Sequence, residues 1–457
     1  MAGSPIVQCI GPSYHLADVK AAVQSAVNCF PQRLDGDNWM MVSAPGEVLV
    51  STLAGEVRNQ RDVEGRWFVV AGSTLYEMVS GAPVTRGTLG TSAGFVGMAH
   101  NRDQLVLVDG PSLYVFTLAT NTLSVVSSAG WRGSDDVHEL DGYMIFVDPD
   151  SDQFYISAID NATSLNALDF SSADSAPDNV LAHRVSHRQL WLFGTTSTEI
   201  WINTGAAAFP FERYQSYTLD VGIVGKRAAI VAADTVFWVG RPRAGRGLVY
   251  MAVGNQPQRV STLAVEQALA GSSDLSQVSM WAYQVEGHEF VAINAPGMST
   301  TWVYDAALQQ WHERGEWVDG WQPLRSRLHV ATGGAIYAGD TTGALVRLDT
   351  TVNTLSGRVL VRERTWPHMV APGLEPISFR AVELSMRTGA GGLVALQLSN
   401  DGGNTWGAPL LRSLGAVGRW MQRVRWLGLG AARDRVFKIR VSDDVPFSLY
   451  TAAVDAS

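Results

Sequence analysis

The sequence predicts an all-β protein, a β-propeller of about six or seven blades joined to a second, sandwich-like β domain. Three observations predict it. A short apolar run, a polar turn and an aromatic-rich run recur from residue 67 to 348. The runs hold two to five residues, too short for buried helices and right for strands covered on both faces. The recurrence ends near residue 355, where a different strand pattern begins.

The first runs are Trp67–Val70, Leu105–Val108, Tyr143–Val147, Leu190–Phe193, Val236–Val239, Phe290–Ile293 and Ile336–Ala338, at steps of 38, 38, 47, 46, 54 and 46 residues. Their partners are Leu75-Tyr76, Leu113–Phe116, Phe154–Ile156, Ile200–Ile202, Leu248–Tyr250, Trp302–Tyr304 and Leu345–Leu348. A four-stranded blade takes about 40 to 50 residues and cannot cover its own faces, so blades stack around an axis. The propeller is expected over residues 47–354. Residues 1–46 break the period and carry turn signals at Gly11-Pro12, Pro31 and Asp35-Gly36-Asp37. They read as an arm packing on the C-terminal domain. Leu16, Val19, Val23 and Val27, spaced by three and four, predict a helix over 16–27. Residues 355–457 form the Arg-rich C-terminal domain, with strands expected at Ala381–Met386, Leu393–Leu398, Arg419–Trp426 and Arg435–Val441.

Composition narrows the class. With 457 residues, 46% hydrophobic, 45 glycines and 15 tryptophans, the chain is globular and turn-rich, and the tryptophans fall in strand runs as core. Cys9 and Cys29 are its only cysteines, so no disulfide framework is expected and the chain reads as made in a reducing cytoplasm. Met1–Pro5 has no leader pattern, and no stretch approaches the ~20 apolar residues of a membrane span. The sequon Asn161-Ala162-Thr163 therefore carries little meaning. Charge is split: thirteen basic against eight acidic residues from Ser356 onward give +5, and 21 basic against 35 acidic before it give −14. Only three of the 34 basic residues are lysines, a skew that fits codon bias as well as it fits pairing with carboxylates or phosphates.

The sharpest motif is Ser399-Asn400-Asp401-Gly402-Gly403-Asn404-Thr405-Trp406, an Asp box. Its physics is a turn: Asp401 accepts turn amides, Gly402 and Gly403 allow positive φ, and Trp406 packs beneath. One copy performs no chemistry, so Ser399, Asp401, Gly403, Thr405 and Trp406 are assigned a structural role. His183 and His187 have zinc-helix spacing, but Arg184 stands where a general base belongs, and both read as surface histidines on a strand. Asp148-Pro149-Asp150-Ser151-Asp152 lacks the Gly and Glu of a calcium loop and reads as a turn. Gly225-Lys226-Arg227 and Gly428-x-Gly430 fail as nucleotide loops. No catalytic, cofactor-binding or metal-binding residue is nominated.

Longer words carry a resemblance: Gly11–Tyr14, Asp152–Ser157, Leu190–Gly194 with Glu199–Trp201, Phe209–Arg213, Phe237–Gly240, Arg259–Thr262, Glu286–His288, Thr301–Asp305 leading to Trp311–Arg314, and Ala432–Phe437. On these the chain, from about residue 11 to 449, resembles the packaged-DNA stabilisation proteins of short-tailed phages, the tail accessory or nozzle family. The resemblance implies a non-enzymatic virion tail protein, made in the host bacterial cytoplasm. It implies a homohexameric ring below the portal and its adaptor, which retains packaged DNA and forms the channel for its ejection. The implied partners are the adaptor ring, tail fibre, spike or needle proteins, and double-stranded DNA passing without sequence-specific contact. DNA carries one negative charge per about 1.7 Å, so acidic walls would let it slide where basic walls would grip it. The Arg-rich domain would face an acidic ring or a neighbouring subunit, with Arg419, Arg423 and Arg425 as contacts. A glycan-binding or sialidase-like propeller is the alternative, resting on the Asp box and the tryptophans; a monomeric scaffold propeller is another.

Overall fold

In the computed structural model, which describes residues 6–7, 9–36, 38–242, 246–371 and 373–456, the chain forms a seven-bladed propeller joined to a β-sandwich. Met1–Pro5 and Asp37, used in the leader and turn readings, lie outside the described residues. The seven apolar runs are the second strands of the seven blades, and each pairs antiparallel with the run that follows it.

Burial on both faces explains why those runs are continuous rather than alternating. Leu105, Val106, Leu107 and Val108 of blade two are all fully buried. Leu105 and Leu107 pack with Phe68 and Val70 of blade one, whereas Val106 and Val108 pack with Met144 and Phe146 of blade three. The same split recurs in blade four, where Leu190 and Leu192 join blade three and Trp191 and Phe193 join blade five. A period of two on a strand sends neighbours to opposite blades.

The ring closes on itself. The Gly46–Thr52 strand pairs antiparallel with Ala344–Asp349 and supplies the fourth strand of blade seven, so the last blade is built from both ends of the propeller sequence. Trp67 of blade one stacks against Tyr337 of blade seven at 4.2 Å. The innermost strands contact one another in sequence, and those of blades seven and one meet. A helix over Leu263–Ala270, which the apolar runs do not signal, lies between blades five and six with Val265 and Leu269 buried in their shared core.

The expected helix over 16–27 is absent. A bonded turn at Asp18–Ala21 interrupts it, and Val23–Val27 is a strand. That strand pairs antiparallel with Arg362–Thr365 and, through Val27, parallel with Glu313 on the outer strand of blade six. One ladder therefore runs from blade six through the arm into a sheet of Arg362–Thr365, Asp434–Val441, Leu393–Ser399 and Leu410–Ser413. The facing sheet holds Cys29–Arg33 and Trp39–Ser43 beside Ser448–Ala456, Ile377–Met386 and Val424–Leu427. Cys9, Ala26, Cys29, Trp366, Phe379, Leu396 and Phe437 lie in the core between them, and both cysteines are free thiols. The strand expected at Arg419–Trp426 begins only at Val424, because residues 416–421 form turns.

Buried polar groups fix the junction. Asn28 is fully buried with φ 53°, and its Nδ2 donates to the carbonyls of Gly315 and Val361 at 2.8 and 2.9 Å. Arg364, also fully buried, donates to the carbonyls of Cys9, Pro12 and Ser25. Burial lowers its pKa to about 10, yet the guanidinium stays charged at neutral pH because carbonyl dipoles replace water.

Candidate assembly surfaces and the propeller axis

The Asp box joins the Leu393–Ser399 and Leu410–Ser413 strands. Asp401 Oδ1 accepts from the Thr405 amide at 2.9 Å and the Ser399 hydroxyl at 2.7 Å, and its Oδ2 accepts from the Thr405 hydroxyl at 2.6 Å. The Thr405 hydroxyl and amide, then Ser399, hold its carboxyl well below the usual range. Gly403 has φ 99°, and a Cβ there would lie 2.5 Å from Val23 Cγ2. The turn thus docks on the arm. Trp406 lies beneath the Lys438 ammonium, 3.9 Å from its ring centroid.

The three nominated arginines lie on or beside the segment 410–427 but differ in environment. Arg423 grips Glu383 bidentately at 2.7 and 2.6 Å, and Arg425 reaches the same carboxylate at 3.7 Å. Arg419 is exposed and has no carboxylate partner among the described residues. Around them Val417, Trp420, Met421 and Leu427 are 85, 64, 93 and 65% exposed. The loop presenting them is anchored: the Thr388 hydroxyl donates to the Trp420 carbonyl at 2.7 Å, and the Gly418 amide donates to the Gly389 carbonyl at 2.9 Å. The loop thus holds large apolar groups in water while itself tethered, unlike a frayed end.

The first strands of the blades, several of them of mixed polarity and outside the recurring apolar runs, line the axis. A cavity of about 540 Å³ there is lined by Arg58, Arg61, Arg184, Arg227 and Arg327, with Glu56 and Asp136. Arg58 is saturated, bonding Asp109 at 2.6 Å and the carbonyls of Gly72, Thr91, Ala93 and Gly94. Arg184 pairs with Asp136 at 3.1 Å and Arg327 with Glu56 at 3.0 Å. The sequence signal for this lining was available as arginines in the short polar segments preceding the runs.

Here the histidine reading is corrected. His183 is buried, with Nε2 3.1 Å from the Ile145 carbonyl and its ring edge-on to His138 at 4.6 Å. Burial, then His138, lowers its pKa to about 3, so it is neutral. His187 is exposed in the following turn with φ 50°, so the two do not share a strand face. Asp148–Asp152 forms the turn between the second and third strands of blade three, closed by the Asp148 amide donating to the Gln153 carbonyl at 2.9 Å. Lys226 of the Gly225-Lys226-Arg227 segment pairs with Asp135.

No curated protein matches the chain. Among solved structures, the computationally designed protein Ika8 gives a TM-score of 0.41 at 11% identity, over 71% of this chain and 96% of that one. A chain from an S. cerevisiae complex of dbp5 with nup159, gle1, ip6 and adp gives 0.43 at 11% identity, over 67% and 95%. Family models are decisive where these are weak. The model described as bacteriophage P22 Gp10, beta-propeller, of the phage-stabilisation family, matches residues 23–353, and the bacteriophage P22 Gp10 beta-sandwich model matches residues 363–457. With both its propeller and its sandwich matched in order, the chain belongs to the bacteriophage P22 Gp10 family of phage structural tail proteins that stabilise packaged DNA.

Proposed function

We propose that the chain is one subunit of a closed ring in a short-tailed phage, a homohexamer below the portal's adaptor ring that closes the vertex and later forms the channel for DNA exit. Family membership supports the setting. The observation that supports assembly is the tethered 410–427 segment, with its exposed Trp420 and Met421 and with Arg419, which has no carboxylate partner among the described residues. Closed cyclic rings use unlike patches on neighbouring subunits. A basic, apolar ledge on the sandwich and a net acidic propeller are unlike patches. The apolar groups would supply most of the affinity and the arginines the register, since exposed ion pairs contribute only about 0 to 1 kcal/mol each.

The continuous ladder from blade six into the sandwich supports the same reading, because a ring under internal pressure needs subunits that do not hinge. In this proposal DNA passes between subunits, along the ring's lumen. A 540 Å³ cavity within one propeller is of small-ligand size, not a duplex conduit. Spike, fibre or needle proteins would dock on the ring's far side. The test is mass photometry and electron microscopy of the purified protein with and without its adaptor ring. Closed rings in either sample support the proposal, and a protein that stays monomeric even with the adaptor overturns it.

A further inference from the structure

The propeller axis carries a charge imbalance that the tail function does not use. Five arginines line the axial cavity; Arg58 is neutralised by its buried pair with Asp109, which leaves four against Glu56 and Asp136, a formal excess of +2. Two carboxylates are already engaged, Asp136 by Arg184 and Glu56 by Arg327. Among the described residues Arg227 has no carboxylate within salt-bridge distance; its guanidinium lies 5.8 Å from the Phe95 ring centroid. Arg61 donates to His100 Nδ1 and the Met98 carbonyl, and pairs with no carboxylate among the described residues. Arg227 and Arg327 also both line an adjoining cavity of about 680 Å³, so they stand where the two spaces meet.

Arg227, without an ion-pair partner among the described residues, lines the same recessed space as Arg327, whose partner is Glu56, so the two guanidiniums are under-neutralised. Burial, then the neighbouring charge of Arg327, disfavours the charged form of Arg227, and Glu56 only partly offsets this. A guanidinium's planar fork suits oxyanions, which accept two parallel hydrogen bonds from it. We propose that the axial cavity binds a small oxyanion of the phosphate class, held by Arg227 and Arg327 at the junction of the two cavities, with Arg61 and Arg184 on the surrounding wall. The site is independent of ring assembly, since all four arginines belong to one propeller.

Inorganic phosphate and the phosphate of a nucleotide share this chemistry. The full chain is titrated with sodium phosphate and separately with ADP, with ionic strength held constant by sodium chloride. Binding is read by phosphorus NMR line broadening and by the thermal midpoint. Phosphate is expected to raise the midpoint where equimolar chloride does not. The double variant Arg227→Gln/Arg327→Gln is expected to weaken binding by about tenfold or more, since two charge-assisted contacts are lost. Tighter binding of ADP than of phosphate assigns the site to a nucleoside phosphate, and equal or weaker binding assigns it to the free ion. The wild-type NMR measurement does not depend on the variant folding: absence of broadening at millimolar phosphate overturns the proposal. So does undiminished binding by a folded double variant.

Discussion

Asn28 is the residue whose loss should uncouple propeller from sandwich. It sits between strands Val23–Val27 and Cys29–Arg33 at φ 53°, so the chain turns from one sheet of the sandwich to the other there. Its side chain donates to the Gly315 and Val361 carbonyls and accepts from the Gly315 amide at 3.1 Å, joining blade six to the segment that enters the sandwich. Asn28→Ala removes three hydrogen bonds and leaves three buried backbone groups unpaired. At about 1 to 3 kcal/mol per stranded group, less what relaxation or an entering water restores, the cost is about 3 to 5 kcal/mol. Alanine adds a left-handed penalty of about 1 kcal/mol that Asn tolerates and Gly avoids. Asn28→Gly should therefore be less destabilised than Asn28→Ala by about that amount. Asn28→Asp keeps the acceptor but sets a buried carboxylate against two carbonyl oxygens, and should cost at least as much as Ala. Urea unfolding gives the size, and hydrogen exchange at the Gly315 amide gives the place, because its partner Oδ1 is gone in the Ala variant. An Asn28→Ala cost below about 1 kcal/mol, or a Gly variant less stable than Ala, would refute the reasoning.

Acid should destabilise the protein. His183, His312 and His329 have pKa values lowered to about 3 and His138 lies well below its ordinary value, in each case through burial first and then nearby positive or histidine groups. Unfolding frees them to bind protons near pH 6.5, so stability falls as pH drops from there toward 3. His15 acts oppositely: burial lowers its pKa, but Glu313 at 3.1 Å outweighs this and raises it, so its contribution is full below about pH 6.5 and lost above. Thermal midpoints near pH 7.5 and 5 test the sum, and a midpoint that rises on acidification contradicts it. Reversing Arg419, Arg423 and Arg425 together to Glu should leave the propeller's midpoint in place, because the Arg423–Glu383 pair is at the rim, yet weaken ring formation or docking. Normal assembly by that variant, with a wild type indifferent to salt, would return those arginines to codon usage. Asp401→Ala should loosen the 399–406 turn, seen as faster exchange of the Thr405 amide, without touching any catalysis; glycosidase turnover present in wild type and absent in this variant would overturn the structural role.

The blades were legible because their second and third strands are buried on both faces, which writes an unbroken apolar run at each copy. The count stayed between six and seven because blade seven borrows Gly46–Thr52 from the far end of the sequence, a pairing no local pattern announces. The helix misreading has a similar cause: Leu16 precedes the turn, Val19 lies within it and Val23 and Val27 follow it in a strand, so their spacing spans different elements. Arginine hid most. Arg362-Glu363-Arg364 reads as a solvated surface, yet Arg362 and Arg364 are fully buried where chain segments converge with carbonyls unpaired. Arg362 reaches the carbonyls of Asp443 and Val445, Arg364 those of Cys9, Pro12 and Ser25, and Arg58 four more at the axis. A lysine has three donors radiating from one point, and an arginine five in a plane spread over several ångströms. Joining separate segments through their carbonyls therefore selects arginine wherever blades, arm and sandwich meet. Part of the excess of arginine over lysine in this chain is thus structural, and it marks the junctions of the fold rather than its surface.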